Sequence, residues 1–321
     1  MSGMAGVGDG PDAHSGLAVN NSAGIVPDAR RWGSGRSGGP DGSRASAWHR
    51  WRFAWASAPV ASRVGLVVTT VFILAALLAP VLPLQDPLAQ RLNLTNAGPS
   101  VHHLFGTDYL GRDVFSRIVY GTRSSYEGVI VGLVVTMIIG IPWGLIAGFG
   151  GTALDEVLMR AADGLLSFPG IVLALGLISV LGPSLYHAMI AIGVVAAPAI
   201  ARLLRSTVLP IRRAEYVLVS GALGASRLRI ALRHVLPNAM GPVLVQGFSL
   251  GSIFLIVGAG LSFLGFGVQP PAPSWGADLV SAYQYFVVNP FGTVVPGLVI
   301  TIAAWSISAV GDGVREAVLL N

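Results

Sequence analysis

Long stretches without a charged residue are the feature that most limits how this chain can fold. The longest are Val64–Gln85, Gly128–Leu154, Gly164–Ala201, His234–Ala277 and Leu279–Gly311. A transmembrane helix needs about 20 consecutive apolar residues. The third stretch holds two such helices, because Gly182-Pro183-Ser184 interrupts it, and each of the others holds one. The sequence therefore predicts six transmembrane helices, with Asp163, Arg202 and Arg205 at helix ends near one membrane face.

The overall composition is typical of an all-α polytopic membrane protein. Only 11% of the residues are charged and 53% are hydrophobic, whereas a soluble domain carries about 25% charged residues. This composition excludes an ordinary soluble enzyme. Among the predicted transmembrane helices, the last is expected to begin after Asn289-Pro290.

The arginines predict the orientation of the chain. All 20 basic residues are arginine, and cytoplasmic loops of membrane proteins carry an excess of such residues. With the N-terminus inside, only Arg91, Arg112, Arg117 and Arg123 lie outside, and the other 16 lie inside. We therefore expect both termini in the cytoplasm.

Two absent residue types exclude several kinds of chemistry. Without lysine the chain has no Walker A lysine and no Schiff-base lysine. Without cysteine it has no thiolate nucleophile and no disulfide. If ATP drives this protein, another chain must bind the ATP.

The N-terminal region differs from the rest in composition. Residues 1–47 are polar and rich in Gly and Ser, and predict a disordered cytoplasmic tail rather than a signal peptide. Trp48–Trp55 follows, with tryptophans and arginines that suit the lipid headgroup layer. We interpret it as an interfacial anchor on the lipid bilayer and not as a nucleic-acid site. Residues 48–123 thus combine this anchor, the first transmembrane helix and an extracytoplasmic loop.

The loop at residues 206–239 is the most informative segment. Apolar residues recur at helical spacing on both sides of Gly224, which predicts two short amphipathic helices at the cytoplasmic surface. Gly224 suits a helix end with positive φ, Ser226 suits an N-cap, and Pro237 is expected to end the second helix. Arginine-studded helices of this kind favour a docking site for a soluble partner, although a surface helix resting on headgroups has the same pattern.

This loop resembles the cytoplasmic coupling loop of ABC-importer permeases. The signature of that loop is a Glu-Ala-Ala triplet followed by a glycine, and Gly224 matches the glycine. The ending His234-Val235-Leu236-Pro237 also fits, whereas Leu218-Val219-Ser220 stand where the triplet is expected. The resemblance implies that the loop contacts an ATPase and that Gly224 shapes the loop. The expected contact residues are Glu215, Arg227, Arg229, Arg233 and His234, and Ala225 and Pro237 complete the predicted coupling-loop residues.

Further segments narrow the resemblance to the second, or C-type, permease of dipeptide and oligopeptide importers. The stretch His102–Ser125 is similar to the extracytoplasmic Gly-Thr-Asp-x-Leu-Gly-Arg-Asp motif of that subfamily. Its matching residues are Gly106, Thr107, Asp108, Gly111, Arg112 and Asp113. Similar segments are Asp163–Leu175, Ser262–Leu279 and Gly311–Ala317, so that the resemblance covers roughly residues 64–317.

The resemblance implies a type I ABC importer permease fold and a set of partners. The permease core would be residues 124–316, with residues 317–321 as a short C-terminal tail. The expected partners are a second permease subunit, two ABC ATPase subunits that hold ATP and magnesium, and an extracytoplasmic peptide-binding protein. The chain itself would have no catalytic residue, no metal and no cofactor, and would lie in the bacterial inner membrane. No substrate-binding residue is assigned.

The same residues allow plainer interpretations, which we keep open. If helical, the outer motif predicts ion pairs Asp108–Arg112 and Asp113–Arg117, in a folded cap rather than a metal site with His102 or His103. Two series of small residues favour close helix packing, within this chain or against another permease subunit, with a substrate-facing groove as the alternative. They are Gly140, Gly144 and Gly148, and Gly247 and Gly251.

Other features bear on gating and on the transported cargo. Phe168-Pro169 predicts a kink in the third transmembrane helix. Nickel chelates, glutathione or oligosaccharides are alternative cargoes for the same machinery. A stand-alone secondary transporter or a membrane scaffold is the alternative class, although no acidic residue is expected near the membrane midplane.

Overall fold

The computed structural model describes residues 59–319, and helices make up most of that range. In chain order they are α1 (Val60–Leu78), α2 (Val114–Phe149), α3 (Thr152–Leu166), α4 (Gly170–Leu181), α5 (Leu185–Ile211), α6 (Glu215–Ala222), α7 (Arg227–Ile230), α8 (Leu236–Phe263), α9 (Trp275–Tyr283) and α10 (Pro290–Leu319). A π turn at Ala231–Val235 joins α7 to α8, so that Arg227–Phe263 is one helical stretch. The predictions for residues 1–58 and 320–321 lie outside the described residues.

Five helical stretches in the described range are long and apolar enough to cross a membrane: α1, α2, α5, the stretch Arg227–Phe263 and α10. The sixth candidate is the pair α3 and α4, which meet at an angle of 89°. The predicted third span is therefore not one straight helix. Twelve residues of α4 extend about 18 Å, which is short of the roughly 30 Å hydrocarbon core. The bend falls at Ser167-Phe168-Pro169, where the kink is predicted, since proline lacks the N–H that would continue the helix.

Two other breaks predicted from the sequence are confirmed. α4 ends at Leu181 and α5 begins at Leu185, so that residues 182–184 separate them, and Gly182 has a φ of +87°. The last long helix begins at Pro290. Proline is tolerated there because the first N–H groups of a helix have no partner within the helix.

Close packing of α2 against α5 forms the centre of the bundle. A Cβ added to Gly140 would lie 2.8 Å from the Ala197 carbonyl oxygen, and one added to Gly148 would lie 2.6 Å from Val208 Cγ1. Gly144 faces Ala201 in the same way. The prediction that this series permits a close helix approach is confirmed.

The second glycine series, Gly247 and Gly251, does not bring two helix backbones into close contact. A Cβ on Gly247 would meet only the end of the Met137 side chain, and one on Gly251 would make ordinary contacts of 3.4–3.6 Å. Both glycines line an apolar cavity of about 330 Å³ between α1, α2, α8 and α10. Within the described chain these two glycines therefore do not permit the close helix approach seen at Gly140, Gly144 and Gly148, and packing against another permease subunit stays a prediction.

Ion pairs join helices at the end of the bundle that is predicted to be cytoplasmic. Arg202 on α5 pairs with Asp163 on α3. The two residues thus lie near the same end of the bundle, as predicted, although Arg202 lies within α5 (Leu185–Ile211) rather than at its end. Arg205 also reaches α3, where its Nη2 lies 2.5 Å from Asp155 Oδ2. Arg212 donates to the Gly148 carbonyl at the end of α2. Three charged side chains of α5 and its C-cap thus fix the neighbouring helix ends.

Candidate functional site

The first candidate site is the predicted loop 206–239, although α5 extends into it as far as Ile211 and α8 begins within it at Leu236. The first helix that lies wholly inside this segment is α6. Its end has two hydrogen bonds that satisfy carbonyl groups of the last turn, from Gly224 N to Gly221 O (3.0 Å) and from Ala225 N to Ser220 O (3.1 Å). This pattern is a Schellman motif, which needs a left-handed residue after the helix. Gly224 supplies it with a φ of +86°, as predicted.

The second half of the loop corrects part of the prediction. The Ser226 side chain accepts from Arg229 N and caps α7, as expected. Pro237, however, does not end this helix, because it lies in the first turn of α8 and the helical stretch continues to Phe263. The π turn precedes it, with Leu236 N bonded to Ala231 O. The π turn thus leads directly into α8. Pro237 lacks an N–H, so it interrupts the regular helical hydrogen bonds at this point without ending the helix.

Side chains on one face of the loop are buried, and those on the other are exposed. Val217, Ile230 and Val235 are buried against the bundle. On the outer face Leu218 is 61%, Leu223 83% and Leu228 67% exposed. The described chain therefore presents large apolar side chains to the surroundings at this end.

The site residues predicted for the loop lie around this exposed face. Glu215 is the first residue of α6 and Pro237 lies in the first turn of α8, and both are exposed. Exposed as well are Gly224, Arg227, Arg229 and Arg233, whereas Ala225 and His234 are half-buried. An exposed apolar surface surrounded by arginines is suited to binding another protein.

The second candidate site is the loop before α2, which contains the predicted outer motif. Gly106 and Gly111 have φ values of +77° and +73°. A Cβ on Gly111 would collide with the backbone of Arg91, so glycine is required there for space as well as for conformation. Thr107 is fully buried and donates to Leu94 O.

Asp108 organises the tight turn of this loop. Its Oδ1 accepts from Leu110 N and Arg112 N, both at 2.9 Å, and its Oδ2 lies 2.6 Å from Arg112 Nε. The predicted Asp108–Arg112 pair is confirmed, although it closes a turn rather than lying on a helix.

The predicted Asp113–Arg117 pair is wrong. Asp113 is the N-cap of α2, where its Oδ2 accepts from Ser116 N at 2.8 Å, and its Oδ1 lies 2.9 Å from His103 Nδ1. These contacts use both carboxylate oxygens within a buried site. The Asp113 carboxylate is therefore held by the first-turn N–H of Ser116 and by His103, and makes no ion pair with Arg117.

Arg117 instead joins the loop to α9, which the sequence did not predict. Its Nη2 lies 2.5 Å and its Nε 3.0 Å from Asp278 Oδ1, and its Nη1 donates to Pro87 O at 3.0 Å. Burial raises the pKa of the Asp278 carboxyl, and the Arg117 guanidinium opposes that rise. The partners are 161 positions apart in the sequence, which explains why periodicity could not find this pair.

Trp275 makes the neighbouring contact between α9 and α2. Its side chain is almost fully buried, and its indole N–H donates to Ile118 O at 2.9 Å. The ring also lies edge-on to Phe72 of α1. The outer loop, α1, α2 and α9 are therefore tied together at one end of the bundle.

The two candidate sites lie at opposite ends of the membrane-crossing helices. The outer motif precedes the start of α2, whereas the 206–239 loop follows the far end of α5. Within residues 59–319 no group of three His, Asp or Glu side chains is arranged to hold a metal ion. The 206–239 loop exposes surface that suits a protein contact, whereas the buried Thr107, Arg112 and Asp113 of the outer motif hold the shape of their own loop.

Comparison with known proteins identifies the family. The sequence pattern of the family described as "Binding-protein-dependent transport system inner membrane component" matches residues 140–319. The chain belongs to this family. As a member of this transport family, it is a multi-pass membrane protein, in agreement with its apolar helices.

Similar members of the family are named as peptide transport permeases. The dipeptide transport system permease protein DppC of Alkalihalophilus pseudofirmus is 39% identical over 79% of this chain and 84% of its own length. The oligopeptide transport system permease protein OppC of Bacillus subtilis is 37% identical over 79% of this chain and 83% of its own. The predicted resemblance to the C-type permease subfamily is confirmed.

A solved structure supports the fold of this transport family member. The membrane chain of the MetNI methionine ABC transporter, in an inward-facing conformation, has a TM-score of 0.53 and 21% identity. The match covers 63% of this chain and 96% of that one. The type I importer permease fold expected from the sequence is therefore confirmed.

Proposed function

We propose that this chain is the permease subunit of an ATP-driven importer that moves dipeptides or oligopeptides across a bacterial inner membrane. The observation that carries the proposal is the exposed apolar face of the 206–239 loop, in a chain whose similar relatives are named as peptide permeases. We call residues 206–239 the coupling loop from here on.

The coupling loop is the docking site for an ATPase subunit in this proposal. The exposed Leu218, Leu223 and Leu228 supply apolar surface that a partner would remove from water, and Arg227 and Arg229 supply charge at its edge. Burial of apolar area contributes about 25 cal/mol per Å². ATP and magnesium bind in the partner, and this chain supplies no catalytic residue and no cofactor.

A second permease subunit completes the translocation path, and a peptide-binding protein docks at the outer end. The outer loop is suited to that contact, because its turn is fixed by Asp108, Arg112 and Asp113 before any partner arrives. A preordered surface loses little conformational entropy on binding. ATP binding and hydrolysis in the ATPases would move the coupling loops and switch the path between its two open sides.

The test is purification of the tagged chain from native membranes in mild detergent, followed by peptide uptake into proteoliposomes with the co-purified subunits. We expect a second permease, Walker-type ATPases, and uptake that requires ATP and a binding protein. Recovery of the folded chain alone in high yield would contradict the proposal and favour a stand-alone transporter.

A substitution at the end of α6 tests the role of the coupling loop directly. Gly224→Trp places a bulky residue at a φ of +86°, where only glycine is unstrained. No atom lies within 4 Å of its added Cβ, and Gly224 is exposed, so the cost falls on the conformation of the loop rather than on a contact of the Cβ with the bundle. We expect normal membrane insertion and no uptake, and normal uptake would refute the assignment.

A further inference from the structure

One hydrogen bond joins the two halves of the coupling loop. Asn238 Nδ2 donates to the Tyr216 hydroxyl at 3.2 Å, which links the first turn of α8 to the first turn of α6. The same amide group donates to His234 O at 2.6 Å. A single side chain therefore holds both α6 and the π turn that leads into α8.

The position of Asn238 follows from the irregular backbone around it. Pro237 has no N–H, and the π turn Ala231–Val235 replaces regular α-helical hydrogen bonds. π turns within α-helices are frequent at functional sites. The Asn238 side chain supplies a donor to a carbonyl of this turn, and its second contact with Tyr216 reaches beyond the helix.

Apolar contacts hold α6 against the bundle on one face, and they do not hold its opposite face. Val217 and Ile230 are buried, and a Cβ on Gly221 would lie 3.7 Å from Ile230 Cδ1. The opposite face, with Leu218 and Leu223, is free of the bundle. The Tyr216–Asn238 hydrogen bond gives α6 a second attachment, to the first turn of α8.

We infer that Asn238 and Tyr216 are positioning residues that make the coupling loop and the base of α8 move as one unit. The inference rests on the function proposed above. Both side chains are exposed in the isolated chain, so water competes for their hydrogen bond and its contribution to folding is small. A docked ATPase excludes that water, and a hydrogen bond is stronger where the surroundings are less polar.

The hydrogen bond is thus expected to matter in the assembled transporter and not in the isolated chain, and this difference can be measured. A residue of merely structural importance would lower the stability of the isolated chain when it is changed. Tyr216→Phe removes one hydroxyl and should leave the melting temperature of the isolated chain unchanged. In the assembled transporter it should lower the number of peptides moved per ATP hydrolysed by about two- to tenfold, the factor that corresponds to one hydrogen bond.

The experiment uses the complete transporter in proteoliposomes, with peptide uptake and phosphate release measured in the same sample. Tyr186→Phe is the matched control, because Tyr186 is a half-exposed tyrosine at the other end of the bundle. We expect Tyr216→Phe to keep its KM for ATP and to move about two- to tenfold fewer peptides per ATP hydrolysed, with the control unchanged. An unchanged ratio of peptide to ATP in Tyr216→Phe would overturn the inference.

A double substitution separates the bond from other effects of either residue. Asn238→Ala also removes the donor to His234 O, so it should be at least as harmful as Tyr216→Phe. If the two side chains act through their contact, Tyr216→Phe in the Asn238→Ala background should cause no further loss. Additive losses would refute a shared role, and a wild-type transporter without ATP-dependent uptake would contradict the proposed function instead.

Discussion

Substitution of Gly144 by alanine should weaken the packing of α2 against α5 by a measurable amount. A Cβ at this position would lie 2.5 Å from Ala201 O and 3.0 Å from both Ala201 Cα and Leu204 Cβ. Two of these atoms belong to the α5 backbone, so no side-chain rotation relieves the collision. The helices must separate, and that movement also loosens the contacts at Gly140 and Gly148.

The size of the effect follows from the cost of overpacking, which is about 1–3 kcal/mol. Alanine also stabilises a helix by up to about 1 kcal/mol relative to glycine. A control variant must therefore include the same gain in helix stability. Gly176→Ala serves this purpose, because Gly176 lies inside α4 and nothing approaches its added Cβ within 4 Å. The difference between the two variants then isolates the steric cost.

Thermal unfolding of the two purified variants in the same detergent measures this difference. Each kcal/mol corresponds to about 2–4 °C for a chain of comparable size, so Gly144→Ala should melt about 2–12 °C below Gly176→Ala. Equal melting temperatures would refute the assignment of Gly144 to a backbone contact. They would mean that the space between α2 and α5 is wider than the structure indicates.

Two further substitutions test the outer end of the bundle by the same melting assay. Arg117→Met leaves a buried carboxylate without its cation and should cost about 3–5 kcal/mol, because the Arg117 side chain is only 5% exposed. Arg123→Met is the control, because the Arg123 side chain is 59% exposed, and it should have the melting temperature of the wild type. A similar loss of stability in both variants would contradict the buried Arg117–Asp278 pair. Trp275→Phe removes an indole N–H that bonds to a carbonyl of α2 and should cost about 1–3 kcal/mol. Trp305→Phe, at a half-exposed position, should have little effect on the melting temperature. An equal loss of stability in this variant would contradict a specific role for the Trp275 hydrogen bond.

Local sequence signals predicted most of the helix boundaries. The break at residues 182–184, the start of α10 at Pro290 and the bend at Phe168-Pro169 all follow from glycine and proline. Gly224 and Ser226 predicted the end of α6 and the cap of α7 for the same reason. In each case the residue type limits its own backbone, so no knowledge of distant contacts is needed.

Features that depend on a distant partner could not be predicted in this way. Gly144 and Gly247 lie in similar four-residue glycine series, yet one faces a helix backbone and the other a cavity. The spacing of small residues describes one helix surface and says nothing about what lies opposite. The bond between Tyr216 and Asn238 has the same origin, because the bend between α6 and α7 sets their separation.

The helical stretch Arg227–Phe263 gives the coupling loop a direct connection to the outer end of the bundle. Near its end Gly276 of α9 lies against it, where an added Cβ would meet Ala259 O and come within 2.8 Å of Ser262 Cβ. α9 in turn carries Asp278, which holds α2 through Arg117. Close-packed elements exchange between discrete arrangements rather than deform continuously, so a shift at the base of α8 must move α9 or break this contact. Movement of α8 can thus reach α9 through the close contact at Gly276, and α2 through the Arg117–Asp278 ion pair.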